Sequence, residues 1–126
     1  MKIKTNEMEG AALDWAVAKC EGIDLFETEG WSYEEDTGTR KPYRPSTDWA
    51  QGGHIIEREG ITVELLRRHE GGADLWEGRI YAGYPNKKAT QNAWVTATAS
   101  TPLIAAMRCY VESKLGDAVE IPEELK

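Results

Sequence analysis

A ten-residue stretch, RPSTDWAQGG, combines groups that bind anions with a group that stacks on rings. Its PSTD segment is typical of a helix start, with Ser46 or Thr47 as the N-cap. The free amides and the dipole at a helix start attract anions, and Arg44 adds a cation just before them. Trp49 offers a stacking surface, and the pair Gly52-Gly53 would let a ligand approach the backbone. This stretch therefore predicts a loop and short helix that hold a ligand.

A second helix start repeats the arrangement near the end of the chain. Ser100 and Thr101 precede Pro102, which suits the first helical position, and Trp94 lies upstream. Two such starts, each near a tryptophan, would suit a phosphorylated ligand that contains a ring; alternatively, both are ordinary helix caps beside core tryptophans. The candidate ligand-binding residues are Arg44, Ser46, Thr47, Asp48, Trp49, Gly52, Gly53, Trp94 and Thr101.

Other kinds of chemistry find less support. His54 and His69 belong to no metal-ligand spacing, so we expect no metal. Ser46, Asp48 and His54 invite comparison with a catalytic triad, but triads are defined by geometry, and helix capping explains Ser46 and Asp48 more simply. The chain contains no phosphate-binding loop and no dinucleotide fingerprint. We therefore expect a protein that is not an enzyme and that needs no cofactor.

The negative net charge of the chain disfavours some classes of binding partner. The chain of 126 residues has a formal net charge of -7, which argues against nucleic-acid binding because that binding depends on clustered Lys and Arg. Seven carboxylates and no cation lie between Glu21 and Asp36. Such a run is typical of a solvated face, and the alternative is an acidic surface that imitates DNA or binds a basic protein.

The two cysteines and the hydropathy indicate a reducing, aqueous compartment. Cys20 and Cys109 fall on apolar faces of predicted helices, where they act as small hydrophobic residues. The N-terminus, MKIKTNEMEG, lacks the apolar core of a signal peptide, and no apolar run reaches membrane-spanning length. We expect a cytoplasmic protein that makes no contact with a membrane.

Hydrophobic periodicity predicts two main helices. One begins near Glu7, with Asn6 and Glu9 as a capping box, and ends at Gly22. The other runs from Thr101 to the glycine at position 116. Between them a short helix around residues 46–59 is expected to be interrupted by its glycine pair after about one turn.

Strand patterns occupy the rest of the chain. Residues 2–5 and 23–26 favour short strands, residues 61–66 and 75–81 a hairpin, and residues 93–98 a further strand. Residues 28–43 favour a loop or a loose hairpin, and residues 84–92 favour a polar loop. These elements predict a single α+β domain over residues 1–126, with two main helices on a small antiparallel sheet. An exposed edge of such a sheet would pair across a two-fold axis, so we expect a homodimer.

Three blocks of sequence carry a resemblance to a known family. GAALDWAVAKCEG, PSTDWAQGGHIIEREGI and TPLIAAMRCYVESKLGDAVEIPEEL occur in this order and cover essentially the whole chain. Together they resemble the NinX-like family of small accessory proteins of lambdoid phages and prophages. The resemblance carries no catalytic residue over to this chain.

The resemblance implies a role in the cytoplasm of an infected host. Phage accessory proteins include small inhibitors of host defence, some of which, called sponges, sequester nucleotide signals such as ADP-ribose derivatives and cyclic dinucleotides. We therefore expect a non-enzymatic binding protein that sequesters a small nucleotide-derived ligand. Two alternatives stay open: an acidic inhibitor or DNA mimic that binds a host protein, and a phosphodiesterase-like enzyme that acts on the same signals.

Overall fold

The computed structural model describes residues 1–27, 31–34, 40–67, 74–81 and 94–125, and it confirms the α+β class. Within these residues the regular elements are β1 (Lys2–Lys4), α1 (Gly10–Glu21), β2 (Phe26–Glu27), β3 (Trp31–Glu34), β4 (Arg40–Pro42), α2 (Trp49–Glu59), β5 (Thr62–Arg67), β6 (Leu75–Tyr81), β7 (Trp94–Ala99), α3 (Pro102–Leu115) and β8 (Ala118–Glu120). Short 3-10 helices at Thr5–Glu7 and Glu123–Leu125 complete the chain.

Helix α3 is the centre of the fold. It packs against β6 and β7 on one side and contacts α1 and α2. Its predicted ends are confirmed: the Thr101 hydroxyl accepts the Ile104 amide at 3.2 Å, Pro102 is the first helical residue, and Gly116 follows the last. Because α3 is enclosed by other elements, seven of its fourteen residues are buried, and they extend well beyond one amphipathic stripe.

Strands β5, β6 and β7 form an antiparallel sheet in this order, which confirms the predicted hairpin and the strand after it. Gly78 of β6 lies opposite Ala97 of β7, and both are buried. The alternate residues, such as Thr96 and Thr98, are exposed. The sheet therefore buries the face that packs on α3 and turns the other face outward.

The start of α1 corrects one prediction. The helix begins at Gly10 and not near Glu7, and no side chain caps it. The residues before α1 bond instead to the C-terminal part of the chain. The Thr5 amide donates to the Asp117 carbonyl at 2.9 Å, and the Thr5 hydroxyl donates to the Gly116 carbonyl at 2.7 Å. These bonds extend the β1–β8 pair and prevent the capping box.

Helix α2 corrects two further predictions. It runs without a break from Trp49 to Glu59, so the glycine pair does not interrupt it. Its N-cap is Asp48, whose carboxylate accepts the Ala50 amide at 2.9 Å, and neither Ser46 nor Thr47 has this role. In the turn before α2, the Thr47 and Asp48 amides both donate to the Arg44 carbonyl. Because these residues form a turn of their own, the helix starts further downstream.

The remaining strands are short. Strands β2, β3 and β4 form a small antiparallel sheet, so the loose hairpin predicted over residues 28–43 contains two strands, and the strand predicted over residues 23–26 is reduced to Phe26–Glu27. The predicted loop of residues 84–92 lies outside the described residues. Within the described part of the chain, no helix is both long and apolar enough to cross a membrane.

Candidate functional site

An open groove of about 440 Å³ lies between the end of α1, β4 and the first half of α2. Its apolar floor includes Ile23, Tyr43 and Ile55, of which the last two are buried. Polar and charged side chains complete the wall: Glu21, Lys41, Asp48, Gln51 and His54. The volume is within the range of small-molecule sites, which is roughly 300–1,000 Å³.

Helix periodicity explains why α2 forms one wall. Gln51 follows Asp48 by three residues, and His54 and Ile55 follow Gln51 by three and four, so these side chains lie on one side of the helix. Ile55 points into the core, whereas His54 is exposed. One helix face therefore provides both an apolar floor and a polar rim.

The opposite wall is held in place by Gln51. Its side-chain amide donates to the Pro42 carbonyl at 2.9 Å, and its oxygen accepts the Arg44 amide at 2.6 Å. These two bonds hold the segment that carries Lys41 and Tyr43 against α2. Since both ends of its amide are engaged, Gln51 positions the groove more than it offers hydrogen bonds to a ligand.

Asp14 of α1 holds the same segment from the other side. Its carboxylate accepts the Ser46 amide at 2.9 Å, and Asp14 and Ser46 are only 6% and 1% exposed. Burial raises the pKa of Asp14, while the Ser46 side chain and amide and the positive charge of Arg44 oppose the rise. The Ser46 hydroxyl lies close enough to act on that carboxylate, but it completes no hydrogen bond of good geometry with the described residues.

The acid at the end of the groove, Glu21, is already paired. Arg58 donates two bonds to its carboxylate, at 2.8 and 2.6 Å, and the Tyr110 hydroxyl donates a third at 2.5 Å. The Arg58 bonds are the largest cause that lowers the pKa of Glu21. Glu59 also binds Arg58, at 2.9 Å, and Lys114 lies 3.7 Å from Glu59. The cluster therefore contains two acids and two cations and ties α1, α2 and α3 together.

The predicted site residues at the start of α2 divide into two groups. Arg44, Thr47, Asp48 and Trp49 are exposed, and Trp49 is 55% exposed. Ser46 is enclosed, so its hydroxyl is not presented to a ligand at the surface.

The predicted role of the glycines also changes. Gly52 is buried, and a Cβ at this position would lie 2.2 Å from the Pro45 carbonyl oxygen and 2.6 Å from Leu103 Cδ1. Gly52 therefore permits the close approach of the turn before α2 and the first turn of α3 rather than the approach of a ligand. Gly53 has ordinary space, with Trp49 Cε3 at 3.9 Å.

Thr101 and Trp94, the remaining two residues of the predicted ligand site, lie apart from each other. Thr101 begins α3, whose Leu103 packs on Gly52, so the first turns of α2 and α3 are neighbours. Trp94 begins β7, five residues before Ala99, or about 17 Å along a strand from the end near Thr101. Trp94 is 57% exposed and packs on Tyr81, with ring centroids 5.1 Å apart.

Of the nine residues that line the groove, only Asp48 belonged to the predicted site. The other eight did not: Glu21, Ile23, Lys41, Tyr43, Ala50, Gln51, His54 and Ile55. In the sequence, His54 suggests only a metal ligand or a member of a triad. The helix spacing from Asp48 through Gln51 to His54 is readable in the sequence, but only for a continuous helix. The opposite wall depends on long-range packing, which no local pattern indicates.

Among the described residues, no group of three His, Cys, Asp or Glu side chains is arranged to hold a metal ion. Both cysteines are free. Cys109 is buried and its thiol donates to the Val95 carbonyl at 3.2 Å; burial raises the pKa of this thiol to about 12. Such a thiol is not an activated nucleophile.

Fold and site together define a small α+β protein with a central helix and an open surface groove. The family model described as "Bacteriophage P22, NinX" matches residues 4–114, and the chain belongs to this phage protein family. No curated protein matches the chain. The crystal structure of a phage protein from Bacillus cereus ATCC 14579 is similar, with a TM-score of 0.57 over 88% of this chain and 92% of that chain. At 13% sequence identity, that similarity concerns the fold alone.

Proposed function

We propose that this phage protein binds a small nucleotide-derived ligand in the groove and sequesters it without turnover. The observation that carries the proposal is the groove of about 440 Å³, which combines an apolar floor with a polar rim. A floor of Ile23, Tyr43 and Ile55 suits a base or another ring. Because the chain belongs to a phage protein family, the ligand that we propose is a signal of host defence.

Two cations near the groove would face an anionic group on the ligand, and the His54 ring adds an N–H that can donate to it. Lys41 and His54 lie on the rim, and Arg44 is exposed at the adjoining turn. Glu21 is offset by Arg58, and Asp48 is engaged as the N-cap of α2. Trp49 is 55% exposed but does not line the groove, so a base in the groove would rest on the apolar floor.

Thermal-shift screening against ADP-ribose derivatives and cyclic dinucleotides tests the proposal. We expect a stabilising compound to be recovered intact after denaturation of the complex. Loss of one charge-assisted hydrogen bond removes about 1.5–3 kcal/mol, so His54→Ala and Lys41→Gln should each weaken binding about tenfold or more. Glu57→Ala is the matched control, because Glu57 is exposed on α2 but does not line the groove.

The same assay separates binding from turnover. Product that appears with wild-type protein and disappears in His54→Ala would replace the proposal with a phosphodiesterase-like enzyme. Intact ligand at one equivalent per site supports sequestration.

The acidic-inhibitor alternative receives less support. Glu21, the first carboxylate of the acidic stretch, is only 14% exposed at its side chain and is bound by Arg58 and Tyr110. It therefore stabilises the fold rather than presenting charge to a partner. A pull-down with Glu34, Glu35 and Asp36 replaced by Ser tests the alternative, which requires loss of a host partner.

A further inference from the structure

The two edges of the β5–β6–β7 sheet differ in how they are protected. Strand β5 has a bulge between Leu65 and Arg67 and carries the charged residues Glu64 and Arg67. Bulges and edge charges are the usual devices that prevent pairing with another strand. In β7, WVTATA, there is neither a charge nor a bulge nor a proline. Among the described residues, β7 pairs only with β6.

We propose that β7 pairs with β7 of a second copy of this chain, antiparallel, to form a continuous sheet of six strands. A strand edge offers backbone donors and acceptors, so its complement is another strand. Self-pairing is favoured here by charge: the chain has a net charge of -7, yet two copies of β7 bring no charged side chains together. A chain with this net charge repels its own copy overall, and an uncharged edge adds nothing to that repulsion.

A two-fold axis perpendicular to the sheet restricts the register. Each side chain must stay on its own face, so the outward residues Trp94, Thr96 and Thr98 can oppose only one another. Thr96 opposite Thr96 satisfies this rule and places Trp94 opposite Thr98. Threonine pairs across strands are stabilising, and the inward face would then join Val95 to Ala97.

A side chain of α3 limits pairing at the Ala99 end of β7. The Thr98 carbonyl already accepts a hydrogen bond from Arg108 at 2.8 Å. A carbonyl oxygen has two lone pairs and can accept a second bond, but Arg108 occupies part of the space there. Pairing is therefore centred on Thr96 and not at the Ala99 end.

The sheet provides a matched test. Thr96 and Thr62 both lie opposite Arg79, on the same outward face but on opposite edges. Thr96→Lys and Thr62→Lys therefore each place a lysine at an exposed position beside the same arginine. Only Thr96→Lys would also place two lysines directly opposite each other in the dimer, about 4.5–5.5 Å apart at Cβ.

Sedimentation equilibrium of the full chain over a concentration series gives the result. We expect wild type and Thr62→Lys to be dimers and Thr96→Lys to be a monomer with an unchanged far-UV spectrum. A monomeric wild type, a dimeric Thr96→Lys, or equal loss of the dimer in both variants would overturn the proposal.

A second pair of variants decides the case if Thr96→Lys does not fold. Under mild oxidation Thr96→Cys should form a covalent dimer, because residues directly opposite in a sheet are within disulfide reach. Thr62→Cys should stay monomeric under the same conditions. Equal cross-linking of the two variants would contradict pairing through β7. Neither result depends on ligand binding in the groove.

Discussion

Gly52→Ala should be less stable than Gly53→Ala, although both substitutions place a better helix former inside α2. A Cβ at Gly52 would lie 2.2 Å from the Pro45 carbonyl oxygen, which is 1.2 Å less than the 3.4 Å of an ordinary contact. The Leu103 tip can rotate away, but the Pro45 oxygen belongs to the backbone. That backbone is fixed by the Ser46 amide on Asp14 and by the Arg44 amide bond to Gln51.

Comparison with Gly53, the neighbouring glycine, gives the size of the expected change in the free energy of unfolding. At Gly53 a Cβ would have ordinary space, so Gly53→Ala should gain the helix propensity of about 1 kcal/mol. Gly52→Ala makes the same gain and pays an overpacking cost of about 1–3 kcal/mol. Because the propensity terms cancel in the comparison, the two variants should differ by about 1–3 kcal/mol, with Gly53→Ala the more stable.

Urea denaturation of the two variants beside wild type measures this difference. Comparable m-values would show that the midpoints report stability in the folded state. Equal stability of Gly52→Ala and Gly53→Ala would refute the close approach of α2 to Pro45 and Leu103. It would also refute the role of Gly52 in permitting that approach.

Three further outcomes follow from the buried polar groups. Tyr110→Phe should lower the free energy of unfolding by about 1.5–3 kcal/mol in urea denaturation, because its hydroxyl donates to charged Glu21; no loss would contradict this bond. The pKa of Glu21 is lowered in the folded state, chiefly by Arg58, so its contribution is present above the unfolded pKa and is lost as pH falls through the folded one. Glu21→Gln should therefore lose less stability than wild type on acidification, and an identical pH profile would oppose the assignment. A thiol reagent should modify half-buried Cys20 slowly and buried Cys109 only after unfolding, since burial raises the pKa of both to about 12; fast labelling of Cys109 would contradict its position.

The sequence contained enough local information for most of the elements. Thr101, Pro102 and Gly116 predicted α3 correctly because caps and terminators act within one turn. The hairpin of β5 and β6 was predicted from β-branched and apolar runs flanking a turn. Where the errors occurred, a distant contact overrode a local preference: Thr5 is bonded to the end of the chain, which prevents the predicted capping box.

The glycine pair illustrates why the site was harder to predict than the fold. In the sequence, Gly52 and Gly53 are equivalent and suggest a helix break. In the structure only Gly52 faces Pro45 and Leu103, and both residues continue the helix. Once α2 is continuous, its face from Asp48 to His54 becomes a groove wall, but the opposite wall comes from β4 and the end of α1. That juxtaposition arises from tertiary packing alone.

Calorimetric titration measures whether the groove on α2 binds a nucleotide-derived ligand, on which the proposed function depends. The compound that stabilises the protein most among ADP-ribose derivatives and cyclic dinucleotides would be titrated into wild type, His54→Ala and Glu57→Ala. We predict saturable binding to wild type and Glu57→Ala, affinity about tenfold or more lower for His54→Ala, and ligand recovered unchanged. If no compound bound, or if His54→Ala and wild type had equal affinity, nucleotide binding in the groove would be contradicted.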